Sequence, residues 1–339
     1  MPTILALETS CDETAVAVLR EGVLLASEVA SQMEIHREYG GVVPEVASRN
    51  HLRTIRPVLE TALARAGVSL QDVDAFAATA GPGLATSLMI GLSAAKGLAI
   101  GARKPFFAVN HLEGHLLSPF FGRTGGIQPS IALVVSGGHT LLVEMRGFRD
   151  YRLLGQTRDD AAGEAFDKVG KLLGLPYPAG PVVDRLSRTG DVKRFDFPRS
   201  MIGSGDFAFS FSGLKTSVRY LLPKLAGASG RVEESLLPDI CASFQEAIVD
   251  VLVAKTIAAA RATGRKVVAI SGGVSCNARL RVRFQAACEK ARLELLLAEP
   301  ALCTDNAGMI AHVAAHLFEA GLESPVTAEI HPNLALAAG

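Results

Sequence analysis

ILALETSCDETAVAVL (residues 4–19) and IALVVSGGHTLLVEM (131–145) share one plan: an apolar strand, a turn of polar or glycine residues, then a second apolar strand. Each is followed by a third strand-like run, VLLASEVAS after the first and YRLLGQT after the second. A second pair of units lies downstream. VDAFAATAGPG (73–83) and KVVAISGGVSCN (266–277) are each an apolar run that ends in a glycine turn ahead of a helical stretch. Such runs are the pattern of parallel strands covered on both faces. Because two kinds of unit recur in the same order, the sequence predicts an α/β fold built twice. It divides into a first lobe over 1–128, a second over 129–325 and a surface tail over 326–339. A cleft is expected between the lobes.

Composition agrees with this size. The chain has 339 residues, 49% of them hydrophobic, enough for two cores. Lys+Arg 34 balances Asp+Glu 34, so the net charge is zero. A stand-alone nucleic-acid binder usually carries a basic excess, so any RNA contact must be local or shared with a partner. The densest basic run, Arg279, Arg281, Arg283, Lys290 and Arg292, reads as a solvated helix face. The five cysteines are scattered and form no C-x-x-C pair, which fits a reducing, cytoplasmic setting. The N-terminus has no basic region and carries Glu8, unlike a signal peptide. LATSLMIGLSAAKGLAIGA (84–102) is interrupted by Lys96 and reads as a buried helix, not a membrane span.

Helical patterns occupy much of the rest. HLRTIRPVLETALARAG (51–67) has apolar residues at helical spacing, with Gly67 placed to end it. Residues 236–264 form one long helical pattern or two in succession, stopped by Gly264. Residues 196–213 read as an irregular loop and 223–235 as a surface connection.

Three kinds of motif carry chemistry. HLEGH (111–115) places His111 and His115 about 40° apart on one helical face, where both imidazoles reach one ion. In a zinc peptidase the catalytic Glu follows the first His directly. Here Leu112 stands there, and Glu113 lies about 200° around the helix from His111. The metal reading survives and the peptidase reading weakens; two ordinary helix histidines are the plain alternative. Second, glycine turns at 81–83, 136–138 and 271–273 follow apolar strands, and glycine lets backbone N–H groups approach a phosphate. Third, DDAAGEAFDKVGKLLGLPYPAGP (159–181) places Asp167 mid-helix, which alone reads as a solvated face, while Gly180 and Asp184 could meet a ribose. In CTDNAGMIA (303–311), Thr304 or Asp305 could cap the following helix. Asp305 could instead complete a two-His, one-carboxylate set, which suits iron or zinc.

Taken together, nine motifs resemble the TsaD family, the bacterial tRNA adenosine threonylcarbamoyltransferases formerly described as glycoproteases. They are ETSCDET (8–14), GGVVPEVASRNH (40–51), TAGPGL (79–84), HLEGH (111–115), VSGGHT (135–140), the 159–181 segment, FSFSGLKT (209–216), GGVSCN (272–277) and CTDNAGMIA (303–311). They run through nearly the whole chain in the family's order. The resemblance implies an actin and sugar-kinase-like fold of two ribonuclease-H-like lobes, with HLEGH on the first and the third metal ligand on the second. It implies transfer of a threonylcarbamoyl group from threonylcarbamoyl-AMP to the N6 amine of adenosine 37, in tRNAs that read codons beginning with adenine. One divalent iron or zinc would be held by His111, His115 and Asp305. Val134, Val135, Ser136, Gly137 and Gly138 would cradle the substrate, with Asp167, Gly180, Asp184 and Asn277 around its adenosine. The implied partners are a TsaB-like paralogue and a TsaE-like ATPase, with no membrane. Two positions depart from the family's pattern: Ala179 stands where a glycine is common, and Cys276 where alanine is usual. Asp12 and Glu13 are candidates for taking the proton from the attacking amine, and both also read as turn acids. A metallopeptidase and a nucleotide-driven scaffold are the competing readings.

Overall fold

The computed structural model describes residues 2–226 and 232–336, so part of the 223–235 connection and the last three residues of the tail lie outside the described residues. The described residues divide into two compact units, one of residues up to 126 together with 298–336, the other of residues 127–297.

In the first unit, β1 (Thr3–Glu8), β2 (Glu13–Arg20), β3 (Val23–Ser31), β4 (Ala75–Gly81) and β5 (Phe106–Asn110) form one sheet in the order β3-β2-β1-β4-β5. β1, β2 and β3 are an antiparallel meander, and β4 and β5 join parallel to β1. The second unit repeats the plan with β6 (Ser130–Val135), β7 (Thr140–Gly147), β8 (Asp150–Gln156), β9 (Val267–Ser271) and β10 (Glu294–Leu297), in the order β10-β9-β6-β7-β8. There too the first three strands are antiparallel, and β9 and β10 run parallel to β6 and β9. The expected duplication is therefore present strand for strand. The parallel strands β1, β4, β6 and β9 are buried at every position, as apolar runs covered on both faces require.

Helices end where the glycines predict. Gly67 closes the helix Pro44–Ala66 with φ 65°, and Gly264 closes Leu237–Thr263 with φ 69°. The first of these helices begins before the periodic stretch does, because Pro44 occupies its first turn. The 236–264 pattern is a single helix. The helix Ala85–Ala102 is long and apolar enough to cross a membrane by length and composition. It packs against β4 through one face, burying Leu88, Leu92, Ala95 and Ala99, while Met89 and Ile100 stay exposed. It is thus buried on one side only.

The expected lobe boundary needs correcting. Residues 298–325, assigned to the second lobe, pack with the first unit. The cause is the helix Ala307–Glu319, whose Met309, Ile310, Val313 and Ala314 are fully buried and which lies against β1, β2 and β5. After it the chain stays on the same unit. Ser324 pairs with β5 through Phe106 O and Ala108 N, His331 N–H donates to Ala80 O at 2.8 Å, and Pro332 O accepts from Gly83 N–H at 3.1 Å.

Candidate active site

The metal motif begins where β5 ends. Asn110, the last residue of β5, caps the helix His111–Leu117, its side-chain oxygen accepting from Leu112 N at 2.8 Å and Glu113 N at 3.4 Å. Its amide nitrogen donates to Ala335 O at 2.9 Å, so the tail also holds the cap. Both motif histidines are buried, at 4% and 0% exposure. Their rings meet edge to face with centroids 4.8 Å apart.

Asp305 arrives on the loop ahead of the helix Ala307–Glu319. The cap of that helix is Asn306, which accepts from Met309 N at 2.9 Å, so neither Thr304 nor Asp305 serves as the cap. Asp305 turns instead to the histidines. Its Oδ1 lies 3.4 Å from His111 Nε2 and 3.1 Å from His115 Nε2. The ligand atoms of His111, His115 and Asp305 all fall within 4.8 Å of one another, and Glu113 is not among them. Metal bonds of about 2.0–2.1 Å leave neighbouring ligand atoms about 2.8–3.4 Å apart at octahedral or tetrahedral angles. The two distances to Asp305 match this spacing, so its carboxylate can share a cation with either imidazole, and two imidazoles with one carboxylate are a set that iron or zinc accepts. Without a cation the cluster gathers a proton. Burial opposes charge on His111, but the carboxylates of Asp305 and Glu8 override it and push its pKa up to about 10. The same pairing outweighs burial at Asp305 and holds its carboxyl well below the usual range.

Asp12 ends the turn between β1 and β2, and Glu13 is the first residue of β2. His51 fastens this turn: its Nε2 lies 2.9 Å from Cys11 O and its Nδ1 2.7 Å from Thr14 Oγ1. Burial lowers its pKa, so the neutral ring donates from Nε2 and accepts at Nδ1. Glu13 accepts from Ser31 Oγ at 3.0 Å, and its other oxygen is buried with no hydrogen-bond partner among the described residues. Burial, then the Asp12 charge, push its pKa up to about 8.

The second unit holds the remaining expected residues. Val134 and Val135 are buried in β6, and Ser136 opens the turn, exchanging backbone hydrogen bonds with His139 (2.8 Å) and Gly163 (3.2 Å). Two glycines let the backbone close up here. A side chain on Gly163 would meet Ser136 O at 2.6 Å, and one on Gly272, at φ +88°, would meet Val135 O at 2.4 Å. Gly137 and Gly138 differ: both are exposed, and a side chain on either would meet nothing within 4 Å. The fold itself places no demand for glycine there. At Gly180 the only neighbour of an added carbon is Phe166, at 3.9 Å.

Asp167 accepts from Ala179 N at 2.8 Å, binding the helix Ala162–Leu172 to the start of the helix Ala179–Ser187. Asp184 accepts from Ala278 N at 3.1 Å. Asn277 accepts from Leu280 N at 2.9 Å and donates to Gln245, whose amide donates to Ser187 Oγ at 2.8 Å. One network thus joins Asp184, Ser187, Gln245 and Asn277. The basic run is largely consumed inside the unit. Arg279 forks onto Glu246 at 2.7 and 3.0 Å, Arg283 pairs with Glu246 and Asp250, and Arg281 bonds Ser275 O.

Residues 23–312 match the profile of TsaD, tRNA N6-adenosine threonylcarbamoyltransferase. The chain belongs to the TsaD family. A relative named tRNA N6-adenosine threonylcarbamoyltransferase from Anaeromyxobacter sp. (strain Fw109-5) is 52% identical over 94% of this chain and 95% of its own length. A relative of the same name from Geotalea uraniireducens is 54% identical over 91% and 89%. Among solved structures, component A of the Acidaminococcus fermentans (R)-2-hydroxyglutaryl-CoA dehydratase superposes over 92% of this chain and 97% of its own, with TM-score 0.55 at 14% identity. That likeness concerns the fold, which is of the actin and sugar-kinase kind.

The two departures from the TsaD pattern are absorbed locally. Ala179 is 2% exposed and packs on Gly170, where an added side-chain carbon would sit 2.0 Å from the Ala179 methyl. Cys276 is exposed and displaces nothing in the core. Glu8 and Gln245 are residues that sequence reading passed over. Glu8 is fully buried at the end of β1, and its signal was an acid closing an otherwise apolar run. Gln245 had no local signal, being a polar residue in a long apolar helix.

Proposed function

We propose that this chain transfers the threonylcarbamoyl group of threonylcarbamoyl-AMP to N6 of adenosine 37 in tRNAs reading codons that begin with adenine, releasing AMP. The observation that carries the reading is the convergence of His111, His115 and Asp305 on one point in a chain of the TsaD family. The donor is a mixed carbamoyl–phosphate anhydride, so AMP leaves readily. The acceptor is poor, because its nitrogen lone pair is delocalised into the adenine ring. Catalysis must then come from orientation, a contribution of about 7–11 kcal/mol, and from stabilising charge on the carbonyl and phosphate oxygens.

His111, His115 and Asp305 hold the metal, iron or zinc. When bound, it supplies Lewis acidity and a template for the threonyl group. The Val134–Gly138 segment takes the phosphate along its open glycine backbone, with Asp167, Gly180, Asp184 and Asn277 around the adenosine. Asp12 or Glu13 accepts the proton that leaves the amine. The protein works in the cytoplasm, with a TsaB-like paralogue and a TsaE-like ATPase. Because Arg279 and Arg283 are spent on internal ion pairs, tRNA affinity comes from that assembly. The deciding experiment supplies threonylcarbamoyl-AMP, unmodified tRNA and both partners to the purified chain and measures modified adenosine by mass spectrometry. Modification that disappears in His111→Ala is expected. No modified adenosine overturns the proposal, and metal-dependent peptide cleavage in its place would restore the metallopeptidase reading.

A further inference from the structure

We propose that Glu8 is the positioning residue of the metal site: it fixes the tautomer and the ring plane of His111. This rests on His111 being a ligand. Glu8 is 0% exposed, at the C-terminal end of β1. Its Oε2 lies 3.1 Å from His111 Nδ1 and accepts from Thr79 Oγ1 at 2.5 Å, while its Oε1 accepts from Ser10 N–H. Ser10 Oγ also stands 3.1 Å from His111 Nδ1.

The three groups come from neighbouring parallel strands: Glu8 ends β1, Thr79 lies in β4, and His111 follows β5. A buried carboxylate needs donors, and here the fold provides a hydroxyl, an amide and an imidazole. An ionised carboxylate only accepts, so Nδ1 must carry the proton and donate it. The lone pair is then left on Nε2, the nitrogen that faces Asp305. Glu8 lies on the Nδ1 side of the ring, so it acts through His111. His115 has no such support, since its Nδ1 is buried with no hydrogen-bond partner among the described residues. One of the two imidazoles is held by the chain, and the other is free to adjust to the ion.

Glu8→Gln tests this, because it keeps the volume and turns an acceptor toward an amide that can donate. An amide NH2 facing Nδ1 selects the opposite tautomer, which places the proton on Nε2 and blocks ligation. Zinc affinity is measured by chelator competition on the metal-stripped full chain for wild type, Glu8→Gln and His111→Ala. The side-chain 15N shifts of His111 in the zinc-loaded proteins report which ring nitrogen carries the proton and which binds the ion. The expected result is roughly 10- to 100-fold weaker zinc binding in Glu8→Gln, with the wild-type signature of a protonated Nδ1 and a zinc-bound Nε2 lost. Wild-type affinity and an unchanged tautomer in Glu8→Gln would overturn the proposal, provided His111→Ala loses zinc. If His111→Ala binds as wild type does, the metal reading itself fails, and the two failures stay separate. Should Glu8→Gln not fold, Thr79→Val removes one anchor of the carboxylate and keeps its charge. A several-fold weaker affinity there supports the role, and an unchanged one overturns it.

Discussion

The turn that follows β1 and the turn that follows β6 occupy the same place in the same five-strand topology, yet they are chemically opposite. The first, Thr9–Asp12, is flanked by Glu8 and Glu13, clamped by His51 and set beside buried imidazoles. The second, Ser136–His139, carries two exposed glycines that no protein atom crowds. A turn dense in carboxylates attracts cations and protons. A turn of bare backbone presents N–H groups to an anion. A scaffold used twice thus carries two chemistries, because its turns differ while its strand order does not.

The largest expected effect removes the cation side. His111→Ala or Asp305→Ala should lower transfer by about 1,000-fold or more, since Lewis-acid stabilisation is worth several kcal/mol and each 1.4 kcal/mol is tenfold. Either variant keeping a tenth of wild-type turnover would erase the contrast. The anion side is separated from mere folding by two glycines at one turn. Gly137→Val should raise KM for threonylcarbamoyl-AMP about tenfold or more, equivalent to about 1.4 kcal/mol, with no change in melting temperature. Gly163→Ala should instead destabilise the protein by about 1–3 kcal/mol through its collision with Ser136 O. Calorimetry and kinetics that fail to part these two variants would refute the claim that the exposed glycines serve a ligand.

Smaller effects sharpen the acidic side. With its pKa at about 8, Glu13 is mostly protonated at neutral pH. If it is the base, kcat/KM should rise about tenfold from pH 7 to 9, and the limb should vanish in Glu13→Gln. A limb that survives in Glu13→Gln means that Glu13 is not the base. The stability sign follows from the same shift. The folded value lies above the ordinary 4.5, so the stabilisation is complete below pH 4.5 and is lost as pH rises through 8. A second pH dependence lies at His312, whose pKa burial, then His316, push down to about 3. Its contribution is present above pH 6.5 and is lost as pH falls toward 3, at no more than about 1.4 kcal/mol per pH unit. Denaturant titrations of His312→Phe over that range should show a shallower slope.

Much of this was legible because it is local. The meanders announce themselves as apolar runs broken by short turns, and four-residue spacing puts His111 and His115 together before any coordinate is known. Asp305 followed from the chemistry of a two-imidazole set and from the family resemblance. What was missed is long-range. Nothing in residues 298–325 says which sheet they cover, and their helix is apolar enough to suit either core. Glu8 reads like the turn acids beside it, because only the fold shows that β1, β4 and β5 bring Thr79 and His111 to its carboxylate. Asp167 and Asp184 read as ligand contacts, yet each also accepts a backbone N–H from an adjoining helix, an obligation that spacing does not reveal.

The discontinuity of the first unit has a consequence for biosynthesis. Its sheet is translated by Asn110, but Asp305 and the Ala335 carbonyl that steadies the Asn110 cap come nearly two hundred residues or more later. The two histidines are therefore made well before Asp305, and the donor set with its steadied cap is complete only once residues 298–335 have followed them. A product that stops before Asp305 lacks the carboxylate of the donor set, so only a chain that carries this segment can assemble it.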